Sequence, residues 1–491
     1  MTTRCLTFIG LFALTAALSI APLAQPTSSR GAEALPSEAT LAPSTGASNF
    51  GYAVSVSEDR ALVGALASGH GKAYVYRRDA AATWVEEAEF VPSDGSGADQ
   101  FGHGVALNEE RALVLVGAPL HDAAGDNSGA AYVYRRSETE GWVLSQKLFA
   151  SDAAANDQFG NSVALHGWRA LVLANNGEAA YVFAEAQGEF IEEAILPAPA
   201  AKGYWSSAHL SDSLAIIGAP DYGGHGAAFT YRLLPSHDWV AEDTLMAPSP
   251  SSLDAFGWSV ALSGERAVIG AIGNDEGAVE SGAVYVFDRS PSGVWSLEAT
   301  LKRAIPQASG RMGFSVAVEA NHVLAGAITS RGHSGEVVLF ESSGPGEWRE
   351  AATLVTTATA PGDQYGVSVA LDGDRALVGA VLDGQGTAHA FDLSTLVATP
   401  QTPDITGELT VGPNPARDAV TVFIARQPAS RAAHIEVIDV LGRVVERRQL
   451  RTTATELEVS LSTRHIAPGV YTVRLIEGGV NAGTARLVIA R

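Results

Sequence analysis

The segment His121-Asp122-Ala123-Ala124-Gly125-Asp126-Asn127 packs a histidine and two carboxylates into seven residues. Imidazole nitrogen and carboxylate oxygen are the donors that a divalent cation or a polar ligand needs, so this is the best single metal or ligand candidate. Comparable segments are Asp221-Tyr222-Gly223-Gly224-His225, Asn274-Asp275-Glu276, and Asp383 within Leu382-Asp383-Gly384-Gln385-Gly386. The candidate ligand contacts are therefore His121, Asp122, Asp126, Asn127, Asp221, His225, Asn274, Asp275 and Asp383. Against this stands the ordinary role of Asp, Asn and Gly as turn formers, which carries more weight at each position. His70, His225 and His333 also fall at similar loop positions beside glycine, where solvated histidines are a simpler account than a metal or pH-sensing ring. Asp99, Asp157 and Asp363 each precede Gln-Phe-Gly or Gln-Tyr-Gly, a register that suggests a structural cap on the next structural unit.

For enzymes the signals are poor. The chain has no G-x-S-x-G elbow, no H-E-x-x-H and no phosphate-binding loop. A retaining glycosidase needs two carboxylates about 5–5.5 Å apart, and no unrepeated acidic motif points to such a pair. The expectation is a protein without catalysis or cofactor. A polysaccharide hydrolase using an acid such as Asp122 or Asp275 is the alternative, and a structural surface-layer component is a third.

The elements that carry these segments recur seven times. Each copy reads Phe-Gly, a Ser-Val-Ala-Leu run, a tight polar turn, Ala-Leu-Val-Gly-Ala, a variable loop and Tyr-Val-Tyr. The copies open at Phe50-Gly51, Phe101-Gly102, Phe159-Gly160, Tyr204-Trp205, Phe256-Gly257, Met312-Gly313 and Tyr365-Gly366, roughly 45–58 residues apart. In the fifth copy, Phe256–Leu262, Ala267–Ala271, Ala283–Phe287 and Trp295–Leu301 predict four antiparallel strands, the unit of a propeller blade. The seventh copy lacks its fourth strand. Glu38-Ala39-Thr40-Leu41 matches Glu298-Ala299-Thr300-Leu301, so residues 37–42 are expected to supply that strand and close the ring. In the third copy, Ala174-Asn175-Asn176 stands where Gly-Ala is expected. The candidate segments then share one face with the blade-to-blade connections, and loops on a rigid scaffold are where binding residues concentrate.

The copies resemble FG-GAP repeats, the family of the integrin α-chain propeller, over about residues 37–395. Integrin-like repeats commonly carry a D-x-D-x-D-G calcium loop between the first two strands. Here that connection is Leu371-Asp372-Gly373-Asp374-Arg375 or Ser57-Glu58-Asp59-Arg60, too short to wrap an ion, so calcium is not expected there.

The ends bound the setting. Arg4 followed by an apolar run from Leu6 to Ala24 predicts a signal peptide within 1–34, cut somewhere between 24 and 34, with no later membrane span. The single cysteine, Cys5, lies inside it. The 491 residues carry a net charge of −22; residues 404–491 hold 11 basic against 9 acidic side chains, leaving the rest strongly acidic, which argues against nucleic acid. After a Thr/Pro-rich linker at 396–404, residues 405–491 predict about seven strands, a small Ig-like β-sandwich. This end resembles the type IX secretion C-terminal sorting domain through Pro413-Asn414-Pro415-Ala416-Arg417-Asp418, Leu441-Gly442-Arg443 and Pro468-Gly469-Val470-Tyr471. That resemblance implies export by the type IX machinery of a Bacteroidota-like bacterium, to the surface or the medium. The whole chain then reads as an all-β, seven-bladed propeller, a monomer that binds an extracellular protein or glycan.

Overall fold

The computed structural model describes residues 33–395 apart from 37–38, 68–69, 177, 198–206, 331–333, 357–359 and 383. Beyond these it describes 409–412, 419–424, 434–438, 443–449, 458–477 without 465, and 480–489. The described residues are all-β apart from two short 3-10 turns and a helical residue at Ser330. They form two compact units, divided between Thr395 and Leu396.

The first unit holds seven antiparallel sheets built in chain order. The fifth shows the pattern: Phe256–Ser263, Arg266–Ala271, Ala283–Arg289 and Trp295–Leu301 pair in sequence. Alternation along each strand serves both neighbours of a blade. Val260 and Leu262 pack toward the fourth blade, while Ala261 packs toward the sixth. Phe50, Phe101, Phe159 and Phe256 are wholly buried between blades, each contributing about 1.5–3 kcal/mol of apolar burial.

The Phe-Gly and Gly-Ala motifs are two halves of one contact. Gly160 (φ +100°) lies against Gly117 of the preceding blade, so a Cβ on Gly117 would sit 1.9 Å from the Gly160 carbonyl oxygen. Six junctions repeat this approach at 1.9–2.1 Å, and one of them joins Gly379 of the seventh blade to Gly51 of the first. Parallel bridges such as Gly129 with Phe159 and Phe50 with Gly386 accompany it. Ser259, Ser315 and Ser368 each donate from Oγ to the next blade's glycine carbonyl at 2.7–2.8 Å.

The junction between the third and fourth blades lacks this contact, and the pairing corrects the reading of the third copy. Phe159 pairs with Ala174 as Phe256 pairs with Ala271, so Leu173-Ala174, not Ala174-Asn175, holds the Gly-Ala register. Leu173 is buried among Leu210, Ile217 and Phe229 of the fourth blade. The fourth copy carries Tyr204-Trp205 in place of Phe-Gly, and these two residues lie outside the described ones.

Ala39–Leu41 pairs antiparallel with Thr387–Asp392 and is the outer strand of the seventh blade. Leu41 is buried with Phe50 and Tyr74 of the first blade. Glu33–Pro36 adds a fifth, parallel strand to the sixth blade, with Glu33 opposite Ala352. Residues 1–32, which hold most of the expected signal segment, and the expected linker at 396–404 lie outside the described residues.

The second unit has a three-stranded and a four-stranded sheet. Val420, Val422 and Leu461 from the first share a core with Ile435, Val437, Tyr471 and Val473 from the second. Of the sorting motif, Gly469 opens a strand and the Tyr471 hydroxyl donates to Ala467 O at 2.8 Å. Pro413, Asn414, Pro415, Asp418 and Gly442 lie outside the described residues.

Candidate binding site

The second-to-third loops and the blade connections share a face, as hydrogen bonds such as Leu120 N to Asp99 O and Leu253 N to Gly224 O require. The polar residues there hold their own loops. Asp122 accepts the Asn127 N–H at 2.8 Å, and Asp275 accepts the Glu280 N–H at 2.7 Å. Asn274 is buried and donates to the Tyr285 hydroxyl at 3.2 Å. Asn127, at φ +52°, donates to the Asn156 side chain. Asp126 is exposed, and its carbonyl accepts from Asn156 N. Asp221 leads into the 3-10 turn Tyr222–Gly224, and His225 Nδ1 meets Gly226 O at 3.0 Å. Asp383 and His333 lie outside the described residues.

His121 is the candidate drawn into a cluster. Lys147 Nζ lies 2.8 Å from its Nε2 and 2.6 Å from Asp94, with Asp99 3.9 Å from that nitrogen. The ammonium thus takes the position between imidazole and carboxylate that a cation would use. Among the described residues no three His, Cys, Asp or Glu side chains form a metal-holding group. Asp99, Asp157 and Asp254 each accept the backbone N–H three residues earlier, at 2.6–2.8 Å, and Asp363 makes the same bond to Ala360; these carboxylates close the turn before the blade's opening residues.

What the structure brings together instead is the axis. The inner strands of all seven blades line one channel of about 770 Å³. After each Phe-Gly the ladder skips: Phe256 pairs with Ala271, but pairing resumes only at Val260 with Ile269. Such a bulge re-aims the extra residues, and here it turns the residue after the glycine to the channel. That position is Tyr52, His103, Asn161, Trp258, Phe314 and Val367 around the ring. Phe-Gly itself bridges to the ends of the second-to-third loops, so this collar lies at the loop-face end.

The collar is chemically uneven. Trp258 and Phe314 are half-buried with ring centroids 5.4 Å apart. Tyr52 and His103 stand 5.0 Å apart, with the Tyr52 hydroxyl 3.2 Å from His103 Nε2. Burial pushes the Tyr52 hydroxyl up to about 12 and His103 down to about 4, despite the bond from Nδ1 to Asn161 O. Deeper in the channel His209 is also lowered to about 4, first by burial and then by the charge of His166. At the opposite end the first-to-second turns bring Glu58, Glu110, Glu319 and Asp372. Burial, then the Asp372 charge, raises the Glu319 carboxyl. Among the described residues the lining contains no Lys or Arg.

Sequence reasoning missed this collar because the blades were compared by what they share. Its signal is the one position beside Phe-Gly where the copies disagree: Tyr52, His103, Asn161, Trp258, Phe314, Val367.

The fold and site together define an axial-channel propeller followed by a small β-sandwich. The FG-GAP repeat model matches residues 36–76, 84–134, 142–183, 239–287 and 348–391, and the secretion system C-terminal sorting domain model matches 410–490. The chain is an FG-GAP repeat protein carrying a type IX sorting domain. Each repeat match runs from one blade's outer strand to the next blade's third strand, and the divergent fourth and sixth openings fall in the gaps. The sorting domain marks the chain for export to the cell surface or the medium of a Bacteroidota-like bacterium. No curated protein matches. Similar solved structures include a chain of the mitotic checkpoint complex, at 11% identity and TM-score 0.49, covering 78% of this chain and 99% of that one. Another is Sqt1 of Saccharomyces cerevisiae, at 10% identity and TM-score 0.42, covering 73% and 99%.

Proposed function

We propose that this exported propeller is a binding module, not an enzyme, and that it engages an extracellular glycan or protein at the loop-face mouth of its channel without a metal or cofactor. The observation that supports this is the broken symmetry of the collar. A scaffold that repeats its buried Phe, Gly and Ser places four different aromatic or imidazole rings at the one position that packing does not dictate. The hydrolase alternative draws on Asp122 and Asp275, whose carboxylates are engaged by their own loop backbone.

The test uses the secreted protein and a Trp258→Ala/Phe314→Ala variant on immobilised extracellular polysaccharide and protein fractions from the producing culture. The variant is expected to lose at least tenfold in affinity while its thermal unfolding stays within a few degrees of the parent. Equal binding by both would move the site away from the collar.

A further inference from the structure

We infer that the collar takes the end of a neutral saccharide; this rests on the binding-module reading above and names its ligand class. Three observations converge. The first is the set of hydrogen-bonding groups left over at the channel wall. His103 Nδ1 lies 2.8 Å from the Asn161 carbonyl, which only accepts, so Nδ1 carries the proton and Nε2 is an acceptor. The Tyr52 hydroxyl, 3.2 Å away, then donates to Nε2 and keeps its own oxygen as an acceptor. Asn161 is 4% exposed, and its amide nitrogen Nδ2 is buried in the channel wall with no acceptor among the described residues. An unpaired buried donor is costly and rare, which makes a ligand oxygen its natural complement. The site thus offers one donor and one acceptor, the combination a hydroxyl satisfies. An ammonium or guanidinium has no acceptor for Asn161, and a carboxylate has no donor for Tyr52.

The second observation is the pair of half-buried aromatic faces, Trp258 and Phe314, in the same mouth. A pyranose presents C–H bonds on one face and hydroxyls around its edge, so it stacks on an aromatic ring while its edge reaches polar groups. The third is charge. Among the described residues the channel lining has no Lys or Arg, His103 and His209 stay neutral above about pH 4, the third histidine, His166, is engaged by Asp212 at 2.8 Å, and the far end carries four carboxylates. A uronic or sialic acid would meet no Lys or Arg among these residues and would enter against the field of the four carboxylates. The cavity, about 770 Å³, is of the size that holds small ligands and oligosaccharide ends.

The experiment is an array of neutral and acidic glycans probed with the secreted protein, Trp258→Ala, Asn161→Ala and a control, Glu138→Ala, at the exposed turn between the third and fourth strands of the second blade. Thermal unfolding is measured for each. The inference predicts that neutral glycans alone are bound and that Trp258→Ala and Asn161→Ala each weaken binding at least tenfold. Glu138→Ala should bind as the parent does. Should Asn161→Ala fail to fold, Trp258→Ala alone carries the comparison. Binding of acidic glycans, or of a protein but no glycan, with loss in Trp258→Ala, would overturn the saccharide class and leave the binding-module reading standing. Neutral-glycan binding unchanged in Trp258→Ala would overturn the placement. Failure to bind any glycan or extracellular protein would overturn both.

Discussion

At Gly117 the absence of a side chain is what lets two blades meet. An alanine there would drive its Cβ to 1.9 Å from the backbone oxygen of Gly160, and backbone cannot rotate away as a side chain can. Gly117→Ala is therefore expected to cost about 3 kcal/mol. Gly46→Ala, which meets nothing within 4 Å, should be neutral or slightly stabilising; thermal unfolding of the two variants makes the comparison. His103 gives a pH prediction. Its imidazole takes a proton near pH 4 in the fold but near 6.5 when unfolded, so the unfolded chain binds more protons between those values. Stability should hold above pH 6.5 and fall as pH drops toward 4, by up to about 3 kcal/mol from this group. Chemical denaturation from pH 7 to 4 should show that slope, flattened in His103→Gln. The Phe-Gly and Gly-Ala pairs were legible because they repeat. The collar residues were not, since Tyr52, Asn161 and Trp258 share neither type nor chemistry, and only the bulge after Phe-Gly puts them on one axis.

At the scale of elements, the closing strand Ala39–Leu41 was legible from its likeness to residues 299–301, because an outer strand keeps its pattern wherever it stands in the chain. The parallel strand Glu33–Pro36 was not, overlapping the stretch read as a signal segment and carrying no alternation to separate it. Deleting residues 33–41 removes a whole strand from the seventh blade and exposes the edge of Thr387–Asp392. The truncated protein is expected to melt several degrees lower and to self-associate in light scattering. Outer strands are tied by a second repeated bond: Trp142, Trp239, Trp295 and Trp348 each donate from Nε1 to a glutamate on the preceding blade's outer strand, at 2.9–3.4 Å. Trp295→Phe, which keeps the ring and removes the donor to Glu242, should cost about 1 kcal/mol in denaturant unfolding. The loop acids misled for a physical reason. Asp122 and Asp275 have the composition of a ligand site, but a carboxylate five residues before a backbone N–H at the loop's end closes that loop equally well.

At the scale of the molecule, function is divided along the chain. The sorting domain supplies the route out of the cell, and the propeller supplies a rigid ring with a chemically irregular mouth. The acidic turn face and the aromatic collar lie at opposite ends of one channel, so a ligand meets the collar from the side where the loops stand. Hydroxyl-radical footprinting of the secreted protein, with and without the tightest-binding glycan of the array, tests that placement most directly. Oxidation of Trp258, Phe314 and Tyr52 should fall when the glycan is present, while Trp168, half-exposed beside a first-to-second turn, stays unchanged. Unchanged Trp258 with protection confined to Trp168, the second-to-third loops or the sorting domain would contradict the account.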